Sequence, residues 1–406
     1  MTARLRRWAD DRRFALQRWM LDRKDPEMEF PVIADLAAEA EKRGWPLRWV
    51  APGQIQSNDT CRCLSEDFVF WVTQGEKMLR HHREWHKDPR ISWRWASALN
   101  AIRRYPISPT FACTIPDAKV YQRGGAVLTP GDELIKESYF GIWKPRRSEW
   151  EAAKPAKVAG RVLNFAVIYA DTNISHFILD CALKATLFDS FEGVTCLATP
   201  KFREWHFGIF ELLGIQRDQF VFTDSLVTQC EELVVAKTSD ECFFPHQTHL
   251  QEFRRRILSG AGVDEASVRP TRRLYISRAK DKRRLLNEDA LWPLWEERGF
   301  ERVFCQDLTT RDKVRLFAEA EVVAGPHGSG FINCIFSPPG AKLIELHNPC
   351  WWDGSTPHYA QLLGHEYWYG FGANASASFD TTFDRSKLVR LLDYALGGPS
   401  TDPMPY

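Results

Sequence analysis

Residues 320–346 read AEVVAGPHGSGFINCIFSPPGAKLIEL, and the fold is decided by how this stretch is divided. A short apolar run, Glu321 to Ala324, enters a loop holding Gly325, Gly328 and Gly330. Phe331 to Phe336 then forms a short apolar helix, and Pro338, Pro339 and Gly340 turn the chain back into a second run, Ala341 to Leu346. Strand, helix and strand in that order predict two parallel strands of an α/β sheet. Glycines let a backbone approach a ligand closely, and a helix start offers N–H donors and the positive end of a dipole, so the loop predicts a bound anion. His327, Ser329 and Asn333 add polar groups that a tight turn does not need. Neither G-x-x-x-x-G-K-[ST] nor G-x-G-x-x-G spacing is present. Glu345 falls near the carboxyl end of the second strand, where a carboxylate can accept from ribose hydroxyls.

The same alternation extends outward in both directions. Arg273 to Ile276 and Glu301 to Phe304 read as strands, Glu288 to Arg298 as a helix closed by Gly299, and Arg311 to Ala320 as a helix capped by Thr309 or Thr310. Pro357 to Leu363 and Arg385 to Leu396 read as later helices. Ser277 and Arg278 follow directly on a strand, with Arg283, Arg284, Asn287 and Glu288 close behind. Arg278 is placed to fork onto phosphate oxygens, whereas Lys280 to Arg284 reads as a solvated face. The middle third repeats the pattern less regularly: strand Val162 to Tyr169, helix Ser175 to Leu187, strand Val194 to Leu197, and helix Phe202 to Leu213 ended by Gly214. It predicts a second Rossmann-like lobe. The polar stretch from Ser259 to Pro270 sets the expected boundary, giving an N-terminal lobe over 1–260 and a C-terminal lobe over 261–406. Residues 1 to about 115 carry no readable motif, and Trp93 and Trp95 read as packing residues.

A chain of 406 residues exceeds one ordinary core and suits two. Its formal charge of +1 gives no electrostatic case for nucleic acid. Met1 to Lys24 is Arg-rich, interrupted by Trp8, Phe14, Leu16 and Trp19, and reads as an amphipathic helix covering a lobe or resting on a membrane surface rather than a signal peptide. The expectation is a cytoplasmic protein, with peripheral contact at the inner face of the membrane as the variant. Cysteines in apolar settings, such as Cys181, Cys196, Cys305 and Cys334, suit a reducing compartment. Cys61 and Cys63 lack the spacing and second pair of a zinc site. The triplets at Asn58, Asn173 and Asn374 would matter only in a secreted chain.

The order YISRAKDKRRLLNED, then FAEAEVVAGPHGSGFINCIFSPPGAKLIEL, resembles glycosyltransferase family 61 over about Leu274 to Glu345. Ser329 stands where that family usually has Ala. The segment NISHFILDCALKATLF resembles the family's Asn-x-x-His-x-x-x-Asp element through Asn173, His176 and Asp180, and departs from it at Ala182, Leu183 and Lys184, where Leu-Pro-Arg is usual. The resemblance implies a GT-B-like architecture, two Rossmann-like lobes facing across a cleft, with inversion at the anomeric carbon. It also allows the last helix to pack back on the N-terminal lobe.

Transfer with inversion needs a base for the acceptor hydroxyl and neutralisation of the departing diphosphate. His176 is expected as base, or Asp180 with His176 as its partner, with Asn173 on the acceptor side. Ser277, Arg278, Asn287, Glu288, Gly325, His327, Gly328, Ser329, Gly330, Asn333 and Glu345 are expected at the donor. Arg278, His327 and the amides of Gly328 to Gly330 would hold the diphosphate, and Glu345 the ribose. No Asp-x-Asp pair stands at a strand end, so no metal or cofactor is expected beyond a nucleotide-sugar co-substrate. The expected acceptor is a glycan or glycoconjugate, with surface polysaccharide assembly as the setting. The rivals are a nucleotide-binding protein without transferase activity and a nucleotide-sugar hydrolase.

Overall fold

The computed structural model describes residues 30–57, 61–67, 104–138, 145, 147–167, 169–199, 201–238, 244–350 and 354–397. The Arg-rich opening to Lys24, Asn58, Trp93 and Trp95 lie outside the described residues. No helix among the described residues is long and apolar enough to cross a membrane.

The chain divides into two compact units, the first formed by residues 1–52, 109–203 and 215–238, the second by 53–108, 204–214 and 239–406. This division departs from the expected 1–260 and 261–406. Helix Gln247–Gly260 buries Leu250, Phe253, Ile257 and Leu258, and together with Glu204–Leu212 it belongs to the second unit. A β-carbon at Gly260 would collide with the Leu212 backbone, and one at Gly208 would lie 2.8 Å from the Thr310 hydroxyl. Glycine is therefore what lets these helices approach each other and Thr310–Ala318.

The second unit is built on six parallel strands in the order Phe300–Val303, Arg272–Ile276, Ala320–Pro326, Lys342–His347, Glu366–Phe371 and Cys61–Cys63. Numbered along the C-terminal chain, the first five run 2-1-3-4-5, a doubly wound order whose direction reverses between Arg272–Ile276 and Ala320–Pro326. One sheet face packs Val322, Ala324, Ile344, Leu346 and Trp368 against Leu388, Leu391 and Leu392 of helix Arg385–Leu396. That helix thus packs within the second unit. Its bounds match the sequence reading, because Asp384 caps its start and Gly397, at φ 76°, ends it. Strand Glu366–Phe371 escaped the sequence reading: EYWYGF is buried from Tyr367 onward and shows no alternation.

The first unit is a mixed sheet of ten strands. Its parallel part runs Val227–Lys237, Ala156–Asn164, Val194–Ala198 and Phe220–Phe222, and antiparallel strands including Thr110–Pro116 and Lys119–Tyr121 extend it from Val227–Lys237. The expected strand Val162 to Tyr169 ends early, at Asn164, where the side-chain oxygen accepts from the Ala166 amide and bends the chain. The expected helix Ser175 to Leu187 is helical throughout but not uniform. It opens as α-helix over Ile174–His176, widens to a π turn over Phe177–Cys181 and tightens to 3-10 over Ala182–Leu187.

Candidate functional site

In open parallel sheets ligands bind beyond the carboxyl ends of the strands, where the strand order reverses. In the second unit that point lies between the end of Arg272–Ile276, which leads into Ser277 and Arg278, and the end of Ala320–Pro326, which leads into His327 and Gly328. The two ends touch. At Gly325, φ is 150° and a β-carbon would lie 2.5 Å from the Ile276 carbonyl oxygen; at Gly330 it would lie 3.4 Å from the Ile276 side chain. At Gly328 a β-carbon would overlap Nη1 of Arg278. The glycines thus make room for the neighbouring strand end and for the guanidinium itself.

Arg278 is held for that position. Its Nε and Nη2 donate to the Lys282 carbonyl at 3.0 and 2.7 Å, and Nη2 lies 2.9 Å from the Asp281 carboxylate. Nη1, the nitrogen against Gly328, makes none of these contacts. Burial pulls the Arg278 pKa down, with Asp281 opposing and Arg283 adding to the shift. An anion beside Nη1 would add a second charged partner, next to Asp281, to a guanidinium that burial has largely removed from water.

Other expected donor residues turn inward. Ser277 donates to Glu288 at 2.6 Å and Tyr275 donates to it at 3.1 Å, while Glu288 itself is buried. Asn287 donates to the Phe383 carbonyl and accepts from its amide, tying the start of helix Glu288–Glu296 to the C-terminal segment. Asn333 donates to the Gly330 carbonyl at 2.8 Å inside the 3-10 helix Ser329–Phe336, which Ser329 begins. These four side chains hold the frame of the loop. Lys280 and Arg284 are exposed and paired with Asp307 and Asp380, as a solvated face requires.

Glu345 is completely buried. Its Oε1 lies 2.8 Å from His327 Nδ1, and its Oε2 accepts from Tyr367 at 2.7 Å with His347 Nε2 3.5 Å away. Burial pushes its pKa up, but His347 and His327 outweigh it together with the hydrogen bonds, leaving the carboxyl below its ordinary range. Both oxygens of the carboxylate, expected at the donor ribose, here meet protein partners. Among the described residues, His327, Glu345 and His347 bring their ligand atoms within 4.8 Å of one another. The 2.8 Å contact is a direct hydrogen bond, and Tyr367 donates to the other carboxylate oxygen. His347 was legible as the next outward position of the Glu345 strand face; Tyr367 was not, because its strand was unread.

In the first unit, Asn173 caps the helix by accepting from the Ser175 amide at 2.9 Å, an N-cap role. His176 Nδ1 lies 2.8 Å from Asp180 Oδ2, and both side chains are buried. A carboxylate only accepts, so Nδ1 is the donor and Nε2 the nitrogen with the lone pair. Asp180 lies in the π turn, which alters the helical register between the pair and the residues that follow. Tyr169, in the left-handed region at φ 61° and 45% exposed, sets its ring 5.2 Å from that of His176. Lys184, where the sequence departs from the family pattern, donates to the Asn164 carbonyl at 2.8 Å, and burial lowers its pKa.

The family model Glycosyltransferase 61 matches residues 174–344, which take in the glycine loop, Arg278 and the His176–Asp180 pair but stop just short of Asn173 and Glu345. An alpha-1,3-arabinosyltransferase of Oryza sativa subsp. japonica, XAT3, is 31% identical over a stretch covering 35% of this chain and 27% of the rice protein. The chain thus spans about a quarter of that relative's length. Over residues 174–344, where the glycine loop, Arg278 and the His176–Asp180 pair all fall, the chain is similar to glycosyltransferase family 61.

Proposed function

We propose that this chain is an inverting glycosyltransferase of GT-B type, moving a sugar from a nucleotide-sugar donor to a hydroxyl of a glycan or glycoconjugate acceptor without a metal ion. The observation that carries this reading is the Arg278 guanidinium lying against Gly328 where the strand order reverses. A planar fork beside a glycine-lined turn, where no side chain blocks the backbone, suits a diphosphate better than a single carboxylate. In this reading the second unit binds the donor, and Arg278 takes up the charge that accumulates on the departing diphosphate as its bond to the anomeric carbon breaks. The first unit supplies the base: His176 Nε2 accepts the acceptor proton while Asp180 holds Nδ1–H, a division of labour supported by their 2.8 Å contact. Assembly of surface polysaccharide on the cytoplasmic side of the membrane is the setting we infer.

The test is product analysis by mass spectrometry and NMR with a panel of nucleotide sugars and hydroxyl acceptors, run with and without EDTA. Arabinosyl donors lead the panel because the rice relative bears that name. The expected result is a glycosylated product of inverted anomeric configuration, formed equally well after chelation. Free sugar alone would make the protein a hydrolase; nucleotide binding without turnover would make it a binding protein. Activity restored to chelated protein by manganese or magnesium would overturn metal independence.

A further inference from the structure

On the sheet face opposite its aliphatic core, the second unit carries a buried polar chain. Register sets Glu345 beside Gly325 on one side and Tyr369 on the other, with His347 and Tyr367 on the same faces of their strands. Glu345, His347, Tyr367 and Tyr369 are all fully buried. A carboxylate removed from water costs several kcal/mol unless it is paired. Its proton inventory is determined by the geometry. The phenol of Tyr367 has one hydrogen and donates it to Glu345, so His347 Nε2, 2.8 Å from that phenol oxygen, must be the donor in their contact. His327 Nδ1 likewise can only donate to the ionised Glu345. These three hydrogen bonds therefore run toward Glu345, and its charge acts on the ring that follows directly after strand Ala320–Pro326.

We propose that Glu345 is a positioning residue for His327: it fixes Nδ1–H inward and favours the doubly protonated ring, so that Nε2–H is presented to the departing diphosphate. The inference rests on the donor-site reading for its ligand, but the pairing of Glu345 with His327 stands apart from it. The groups that bear on the ring are Glu345, the stacked His347 with ring centroids 4.9 Å apart, Tyr367, Arg278 beside Gly328, and the Cys334 thiol near Glu345. Of these Glu345 alone is an anion in contact with His327.

Full-length protein labelled with 15N-histidine separates the possibilities, with His327→Gln assigning the resonance. At pH 7.5 the ligand-free wild type should show a protonated Nδ1 on His327, and addition of uridine or guanosine diphosphate should protonate Nε2 as well. Glu345→Gln should remove the Nδ1 preference and weaken nucleoside diphosphate binding by about tenfold or more; Tyr367→Phe, which keeps the carboxylate, should retain the preference. A His327 ring protonated on Nε2 alone in the wild type overturns the proposal without any variant. So does a Glu345→Gln protein with an unchanged His327 signal. If neither nucleotide binds while the Nδ1 preference depends on Glu345, the donor-site reading fails and the pairing survives.

Discussion

Gly328 and Arg278 share a volume that neither could occupy with a different partner. Gly328→Ala should leave the fold intact, because the obstructing atoms belong to the end of a flexible side chain. It should displace the guanidinium and cut nucleotide affinity by about tenfold, roughly 1.4 kcal/mol. Arg278→Lys keeps charge but loses the fork and should act similarly, whereas Lys280→Ala, already paired with Asp307 on the surface, should do little. Because Gly328→Ala works through Arg278, the double variant should bind scarcely worse than the poorer single one. Calorimetric titration decides this: additive losses would separate the glycine from the arginine. At His176, a lost base should lower turnover by about 10² to 10⁴-fold in His176→Ala with donor affinity retained. Asp180→Asn should cost less than His176→Ala if Asp180 only orients the ring. Wild-type turnover in a folded His176→Ala protein would remove the base from this helix.

At the scale of elements, the turn that joins helix Ser355–Leu362 to strand Glu366–Phe371 carries its own pH sensor. Burial and the charge of Arg254 push the His365 imidazole down to about 3, against the carbonyls of Pro338 and Cys334. An unfolded chain protonates the same ring near pH 6.5. A depressed folded pKa means that its stabilising effect is present above about pH 6.5 and is lost as pH falls toward 3. The slope is about 1.4 kcal/mol per pH unit, so this one ring should lower stability by about 2 kcal/mol between pH 7 and pH 5. Urea midpoints for wild type and His365→Phe should therefore converge on acidification, the variant losing less. Parallel curves would sink the assignment.

For the molecule as a whole, the C-terminal alternation was legible because its helices are amphipathic and capped: Thr309 and Asp384 both accept from the first turn as their positions in sequence required. Arg278 and the glycine loop were legible for the same reason, since strand ends follow once strands are placed. The partners of Glu345 were not legible, because a carboxylate at a strand end looks the same whether it faces solvent or a buried tyrosine from an unrecognised neighbour. The π turn left no mark, as FILDC is compatible with an ordinary helix. The division into units was hidden because contacts distant in sequence set it. A fragment of 261–406 lacks strand Cys61–Cys63 and helices Glu204–Leu212 and Gln247–Gly260. The four apolar side chains buried by helix Gln247–Gly260 alone, Leu250, Phe253, Ile257 and Leu258, are worth about 6 to 12 kcal/mol, comparable with the roughly 5 to 15 kcal/mol that holds a whole domain folded. That fragment should show no cooperative melting by circular dichroism; a sharp transition would restore the simple two-lobe cut.

The pairing of Cys61 with Tyr367 and Cys63 with Tyr369 also sets a timetable for synthesis. A chain growing at about 5 to 20 residues per second emerges with its edge strand long before that strand's partner exists, an interval of about 15 to 60 s. During it, two thiols that end up buried, that of Cys63 shifted up to about 12, ride on the ribosome without their sheet. Nascent protein should therefore be open to alkylation at positions closed in the finished molecule. A cell making it has a window in which oxidation of Cys61 or Cys63 would block the last strand from docking.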